Sequence, residues 1–252
     1  MIDSKHPVLF VGHGAPTLAI DAEKGAPFRA WSQQLERPRA ILVISAHWEE
    51  SPLTLGESVR HEDLIYDFYG FPPALSRVQY PAPPDAELGQ RVMALTNAAP
   101  SQRGLDHGVW TPLVHLYPEA DVPVMQLSMP RSMSDAQLVQ LGQSLAPLRD
   151  EGVLIIGSGN ITHNLRRLEA DGSSPEAWAE DFDRWTAETL EAGDPMELCK
   201  WIEQPGARLC HPTPDHWRPL LVAAGAAAGA SVKYPVLGYE YGNLSRRSVE
   251  FS

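Results

Sequence analysis

Histidines beside predicted turns are the residues of this chain whose types and spacing best suit chemistry. Four of the nine histidines are expected at the ends of predicted elements: His13, His47, His163 and His216. Converging imidazoles without cysteine partners suit Fe(II), Zn(II) or Mn(II), whereas a structural zinc site favours closely spaced cysteines. The two cysteines, Cys199 and Cys210, form no such motif. The pattern therefore predicts a catalytic metal site assembled from distant parts of the chain.

Three short apolar runs precede three of these histidines. The runs are residues 8–11 before His13, 41–44 before His47, and 153–156 before a glycine-rich stretch and His163. Short apolar runs stopped by glycine are typical of buried strands in an α/β sheet. Because the carboxyl ends of parallel strands meet at one edge of such a sheet, we expect these side chains to lie close together.

The order of predicted elements indicates the fold class. Apolar strands alternate with amphipathic helices, and no repeat, linker or composition break interrupts the 252 residues. We predict a single α/β domain over residues 1–252, with a central, largely parallel or mixed sheet and helices on both faces. Ser134 with Gln137 predicts a capping box. Ser174 before Pro175 predicts the N-cap of a later helix, and residues 238–251 are expected to end in an edge strand.

Composition excludes several classes of partner. The formal net charge is -12 and no basic cluster is present, which argues against nucleic acid and anionic membranes. No apolar run approaches the ~20 residues of a membrane span, and the first residues lack the pattern of a signal peptide. We expect a cytoplasmic protein that acts on a small molecule. The oligomeric state stays open, a homo-oligomer included.

Other motifs receive a structural interpretation. A lone histidine is more often a hydrogen-bonded residue than a ligand, so we interpret His6, His61 and His115 in that way. GSGN at 157–160 matches neither the common phosphate-binding loops nor the GxSxG elbow, and we interpret it as a tight turn that aims His163. The aromatic segment 61–73 is either a packed surface loop or a wall over a flat apolar substrate.

Five motifs in order resemble a known enzyme family. They are GHGAP with His13, SAHW with His47, DHGVWTPL with His107, GSGNITHNL with His163, and HPTPDHWRPL with His211 and His216. Together they resemble the DODA-type (4,5-DOPA) extradiol ring-opening dioxygenases, within the class III extradiol superfamily. The resemblance extends from residue 7 to the terminal segment.

The resemblance implies a non-haem metal at the strand ends of an α/β fold. It implies His13 and His47 as ligands, with His216 where the wider superfamily has a glutamate. His163 matches the acid/base histidine and is close enough in this subfamily to be counted as a fourth ligand. Catalysis calls for Fe(II), while isolated members can carry Zn(II).

The reaction implied by this resemblance is cleavage of a catechol such as DOPA by O2, which gives a muconic semialdehyde. His163 would take the second phenolic proton and return it later. His107 would hydrogen-bond the substrate or the oxygen adduct, and His211 would support the site or contact the substrate. Arg246 and Arg247 are candidates for an acidic substrate side chain, although we expect both at the surface.

Two other functions remain open at this stage. A zinc hydrolase could use the same histidines to activate water, and its activity would need no oxygen. A non-enzymatic binding protein could retain the architecture, but it would be expected to lack some of the ligands. All the motif histidines are present in this chain.

Overall fold

The apolar runs form strands, and the segments between them form helices, in a computed structural model that describes residues 5–56 and 64–252. His61 and the start of the aromatic segment 61–73 lie outside the described residues. The strands are β1 (Val8–Gly12), β2 (Ala40–Ser45), β3 (Thr54–Leu55), β4 (Ala99–Pro100), β5 (Val124–Leu127), β6 (Val153–Gly159), β7 (Val232–Val236), β8 (Tyr239–Glu240), β9 (Leu244–Ser245) and β10 (Ser248–Phe251). The α-helices are α1 (Ala22–Ser32), α2 (Ala86–Thr96), α3 (His107–Leu116), α4 (Asp135–Leu145), α5 (Ala177–Ala192), α6 (Ala207–Cys210) and α7 (Arg218–Ala226).

The larger sheet is mixed, with a parallel centre. Its order is β4-β3-β5-β2-β6-β1-β10-β7, and β5, β2, β6 and β1 run parallel to their neighbours in this central group. β3 pairs antiparallel with β5, and β10 pairs antiparallel with both β1 and β7. The expectation of an edge position for β10 is therefore wrong. Val249 and Phe251 of this strand are buried in the core, and β7 forms that edge instead.

Alternating side chains along the central strands give both faces of the sheet a buried apolar surface. Val8 and Phe10 of β1 pack with helices α2, α4, α5 and α7, whereas Leu9 and Val11 pack with α1 and α3. All four of these side chains are fully buried. Because successive residues of a strand point to opposite faces, a continuous apolar run requires cover on both sides. The predicted α/β domain with helices on both faces is confirmed.

The GSG stretch is strand rather than turn, which corrects the sequence-based interpretation. β6 continues through Gly159 and pairs with both β1 and β2 over this length. A Cβ on Gly157 would lie 2.4 Å from the carbonyl oxygen of Pro219, and one on Gly159 would lie 2.2 Å from that of His216. The glycines are needed because the start of α7 packs directly on the strand.

Two further glycines allow α4 and α7 to cross in close contact. A Cβ on Gly142 would lie 2.1 Å from the carbonyl oxygen of Val222, and one on Gly225 would lie 2.1 Å from that of Val139. Backbone atoms on the facing helix cannot rotate away as a flexible side chain can. α7 begins two residues after His216, so this contact also fixes the approach to a predicted site residue.

We predict that Gly142→Ala destabilises the protein strongly. The added methyl group must push the two helices apart, at a cost of about 3 kcal/mol in the free energy of unfolding. Gln143→Ala, at the exposed neighbouring position, is the control and should leave stability nearly unchanged. Urea unfolding of both variants measures the difference. Equal stability of the two would contradict the tight α4–α7 contact.

One of the two predicted helix caps is confirmed, and the other is wrong. Ser134 and Gln137 form the predicted capping box at the start of α4. The prediction of Ser174 as an N-cap is wrong, because α5 begins at Ala177 with Glu176 in the cap position. The Glu176 N–H donates to the Gly242 carbonyl, which ties the preceding segment to the small hairpin of β8 and β9. Among the described helices, none has the length and apolar character that spanning a bilayer requires.

Candidate metal centre

The carboxyl ends of β1, β2 and β6 bring the predicted histidines to one edge of the sheet. The His13 N–H donates to the Gly159 carbonyl at 3.0 Å, directly beyond the paired length of β1 and β6. The Asn160 N–H donates to the His216 carbonyl, also at 3.0 Å. His216 is therefore not carried by a strand. It lies in the segment that leads into α7, and the hydrogen bond to Asn160 holds this segment at the strand ends.

Five imidazoles of the described residues meet at this edge: His13, His47, His107, His163 and His216. The Nε2 atoms of His13 and His47 are 3.2 Å apart. The ring centroid of His216 lies 5.3 Å from that of His13 and 4.9 Å from that of His47. His107 lies 3.9 Å from His47, and His163 stacks on His216 with centroids 3.5 Å apart. The structure thus brings together all four predicted ligands and His107.

Ser158 on β6 sets the tautomer of His13. The Ser158 hydroxyl donates its single proton to the Gly108 carbonyl, so its oxygen can only accept from the His13 Nδ1–H, at 2.9 Å. The His13 Nε2 therefore carries a lone pair directed at His47. Hydrogen bonds to the distal nitrogen are the usual way in which a protein orients a metal-binding imidazole.

Two carboxylates hold the Nδ1 atoms of three further imidazoles. Asp67 Oδ1 accepts from His107 Nδ1 at 2.7 Å, and its Oδ2 lies 3.6 Å from His47 Nδ1. Asp215 Oδ2 accepts from His216 Nδ1. Sequence reasoning did not identify either carboxylate. The position of Asp215 next to His216 was an available signal, whereas nothing in the sequence connects Asp67 with histidines that are distant in the chain.

Three of the imidazoles, those of His13, His47 and His163, are held in the neutral form. Burial, followed by the nearby histidines, lowers the pKa values of His13, His47 and His163 well below 6.5. Burial raises the pKa of Asp67, but its hydrogen bond with His107 and the charge there outweigh this and bring it to about 2. The hydrogen bond to His216 likewise holds the pKa of Asp215 below its usual range, against the effect of burial. Neutral rings beside ionised carboxylates are the protonation state that metal binding requires.

The donor set fits a divalent metal ion. The Nδ1 atoms of His13 and His47 face Ser158 at 2.9 Å and Asp67 at 3.6 Å, which leaves their Nε2 atoms 3.2 Å apart, where both can be ligands to one cation. Among residues 5–56 and 64–252, two groups of side chains have donor atoms that lie within 4.8 Å of one another in each group: His13, His47 and His107, and also His163, Asp215 and His216. The predicted ligands are distributed over both groups.

We predict that the metal-free protein loses stability as the pH falls below 6.5. His13, His47 and His163 resist protonation when folded, whereas in the unfolded chain they take up protons near pH 6.5. The free energy of unfolding should therefore fall by up to about 1.4 kcal/mol per pH unit for each of them. Urea unfolding between pH 8 and pH 5 measures this slope. It should be shallower for His13→Gln, and equal slopes for the two proteins would contradict the argument.

The imidazoles lie at the base of a cavity of about 610 Å³. Phe68 and Phe71 form an aromatic side, with the Phe68 ring 5.5 Å from that of His107 and nearly perpendicular to it. Tyr66 instead packs against Trp110 and donates its hydroxyl to the Val78 carbonyl. The aromatic segment is thus partly a cavity wall and partly packed structure. Its shape and lining suit a flat aromatic ligand.

Comparison with known proteins identifies the family. Residues 9–251 match the family described as the catalytic LigB subunit of aromatic ring-opening dioxygenase. The chain belongs to this family. Members are metal-dependent ring-opening dioxygenases, and this chain is an enzyme of that class, with a three-histidine group that can hold a metal.

Relatives match the LigB-family chain over almost its whole length. A protein named 4,5-DOPA dioxygenase extradiol from Beta vulgaris is 40% identical, over 99% of this chain and 98% of its own. One of the same name from Escherichia coli is 39% identical, over 99% and 96%. The crystal structure of an uncharacterized Escherichia coli protein aligns with a TM-score of 0.84 and 34% identity, over 98% of this chain and all of its own.

His211, a candidate site residue, lies away from the LigB-type site, as do His6 and His115, which received a structural interpretation. His211 is 2% exposed, packs against Phe182 and Trp201, and is not among the residues that line the described cavity. Its Nε2 is paired with the Ile161 carbonyl, so this position does not support direct substrate contact. His6 and His115 are also buried outside the cavity, and His115 Nε2 pairs with the Leu18 carbonyl.

The two arginines considered for a substrate carboxylate are engaged elsewhere. Arg247 binds Asp183 through Nε and Nη2, and Arg246 donates to the Lys24 carbonyl. Their side chains are only 16% and 11% exposed, so the expected surface placement of both is wrong. Ion pairing with acidic residues of neighbouring elements keeps them within the structure.

Proposed function

We propose that residues 1–252 act as one catalytic domain, a non-haem Fe(II) extradiol dioxygenase that cleaves a catechol such as DOPA with O2. The product would be a muconic semialdehyde. The observation that carries the proposal is the cluster of five imidazoles that line a cavity with an aromatic side. The names of the relatives from Beta vulgaris and Escherichia coli support DOPA as the type of substrate.

We assign His13, His47 and His216 as metal ligands, with His163 beside them. Fe(II) held by these residues would supply the redox-active centre that catechol cleavage by dioxygen needs. Zn(II) suits the same imidazole donors but has no redox chemistry, so we assign it only as an occupant of the isolated protein. Ser158 and Asp215 are hydrogen-bonded to the distal ring nitrogens of His13 and His216 and keep their donor atoms turned inward, and Asp67 lies 3.6 Å from the Nδ1 of His47.

His163 is assigned as the acid and base of the reaction. Its ring lines the cavity, stacks on His216, and is neutral at physiological pH because its pKa is well below 6.5. A neutral imidazole nitrogen can accept the second phenolic proton of a bound catechol and return it when the ring opens.

His107 is assigned to the substrate. Its Nδ1 is fixed on Asp67, which leaves Nε2 free to accept a hydrogen bond from a substrate hydroxyl at the cavity. Phe68 packs edge-on against the His107 ring and limits its rotation. A flat ring placed between this aromatic side and the imidazoles therefore has a defined orientation.

Isotope-labelled oxygen tests the proposed reaction directly. The protein is loaded anaerobically with Fe(II), mixed with L-DOPA, and exposed to isotopically heavy O2. A yellow, ring-opened product that contains both atoms of one O2 molecule is expected, and Zn(II)-loaded protein should give none. Full iron occupancy without such a product across a panel of catechols would overturn the proposal. Zinc-dependent turnover of an ester or amide without oxygen would instead support the hydrolase alternative.

A further inference from the structure

The charges that line the cavity are unevenly distributed. Asp67 and Asp215 contribute carboxylates, but each is hydrogen-bonded to an imidazole at the base. Arg166 is the one lining residue of the described chain that carries a permanent positive charge.

The Arg166 guanidinium has no partner within the described part of the protein. Only its backbone N–H is engaged, with the side chain of Asn164 at 3.0 Å. Arg246 and Arg247, in contrast, are both paired. A cation that lines a ligand cavity and is not used by the protein itself is available for an anionic group of the ligand.

The backbone that carries Arg166 is held firmly in place. Asn243, fully buried, donates to the Arg167 carbonyl at 2.8 Å and accepts from the Asn164 N–H at 2.9 Å. Asn164, 4% exposed, donates to the Leu209 carbonyl at 2.7 Å. The same loop carries His163. The backbone of Arg166 is therefore fixed relative to the acid/base histidine, while its guanidinium group is available to a ligand.

We infer that Arg166 binds a carboxylate on the side chain of the substrate and thereby selects catechols that carry an acid group. The inference rests on the proposed function, because it places the catechol hydroxyls toward the imidazoles. A guanidinium forms two parallel hydrogen bonds with a carboxylate, which fixes the direction of the bound molecule as well as its affinity. Arg166 would then determine which way the aromatic ring lies over the site.

Selectivity between two catechols tests this inference. The probes are 3-(3,4-dihydroxyphenyl)propionate, which carries a carboxylate, and 4-methylcatechol, which does not. In Arg166→Met, the ratio of their kcat/KM values should fall about tenfold to a hundredfold, chiefly through KM for the acid. Arg166→Lys should retain part of the selectivity. Arg166→Glu should shift preference toward dopamine, whose side chain is cationic.

Arg167→Met is the matched control. Arg167 is the next residue of the same turn and is exposed, but it is not among the residues that line the described cavity. Its substitution should leave the ratio unchanged. An Arg166→Met ratio equal to those of wild type and Arg167→Met would overturn the inference.

Direct binding separates this inference from the proposed function. If the iron-loaded wild-type protein cleaves no catechol, the proposed reaction fails, and calorimetric binding of the two probes becomes the readout. Tighter binding of the acid that is lost in Arg166→Met but not in Arg167→Met would still support carboxylate recognition. Equal binding of the acid and 4-methylcatechol by the wild-type protein would overturn it.

Discussion

Replacing His13 with alanine is expected to remove both the bound metal and ring cleavage. The His13 Nε2 lies 3.2 Å from that of His47, and the bond from its Nδ1–H to Ser158 directs its lone pair into the site. Without the His13 imidazole, a metal ion bound to His47 lacks the second ligand atom on the facing side of the site. Bound iron after anaerobic dialysis and initial rates of catechol cleavage measure the two losses. Iron retained at one ion per chain in His13→Ala would contradict the assignment.

Companion variants show whether the loss is specific. Ser158→Ala keeps the His13 ligand atom but removes the group that orients it, so metal affinity should fall by only about tenfold to a hundredfold. His216→Ala should resemble His13→Ala, whereas His107→Ala should retain iron and show impaired substrate binding. Circular dichroism of each variant tests whether it is folded. Iron loss in His107→Ala with retention in His216→Ala would assign the third ligand to His107 instead.

Replacing His163 with alanine is expected to remove most of the turnover while the metal stays bound. Its ring lies face to face with His216, with an interplanar angle of 7°, and no hydrogen bond to its ring is found in the described structure. It is therefore placed to exchange a proton with a ligand in the cavity. Loss of a positioned acid and base lowers the rate by about 10²–10⁴-fold.

The metal content of His163→Ala decides between its two roles. Iron occupancy equal to that of wild type, with kcat reduced and substrate binding retained, is the expected result. His163→Gln is a useful second variant, because it can hydrogen-bond but cannot act as an acid or base at neutral pH. Loss of iron from both variants, to the extent seen in His13→Ala, would make His163 a ligand and refute the assignment as acid and base alone.

The strand-borne part of the site could be predicted from the sequence because its signals are local. An apolar run followed by glycine specifies where β1 ends, and His13 follows immediately. The parallel order of β2, β6 and β1 then brings His13, His47 and His163 to one edge. His216 could be predicted from its position at the end of an element and from the family resemblance, although it approaches from the segment before α7 and not from a strand of the sheet.

The parts that were missed depend on contacts between distant segments. Asp67 precedes His107 by 40 residues, and only the packed fold places its carboxylate on that ring. GSG at 157–159 resembles a turn, but close contact with the start of α7 makes it strand, with Ser158 buried against His13. Arg166 was overlooked because nothing local distinguishes it from Arg167; only the shape of the cavity does.

Oxygen uptake by the iron-loaded protein tests the central claim most directly. An oxygen electrode records consumption after anaerobic loading with Fe(II) and addition of L-DOPA, while the remaining catechol is assayed in parallel. The account predicts one O2 consumed for each catechol lost in the wild-type protein, and no iron-dependent uptake in His13→Ala. Catechol loss without matching uptake, or equal uptake by His13→Ala, would contradict ring cleavage at the histidine centre.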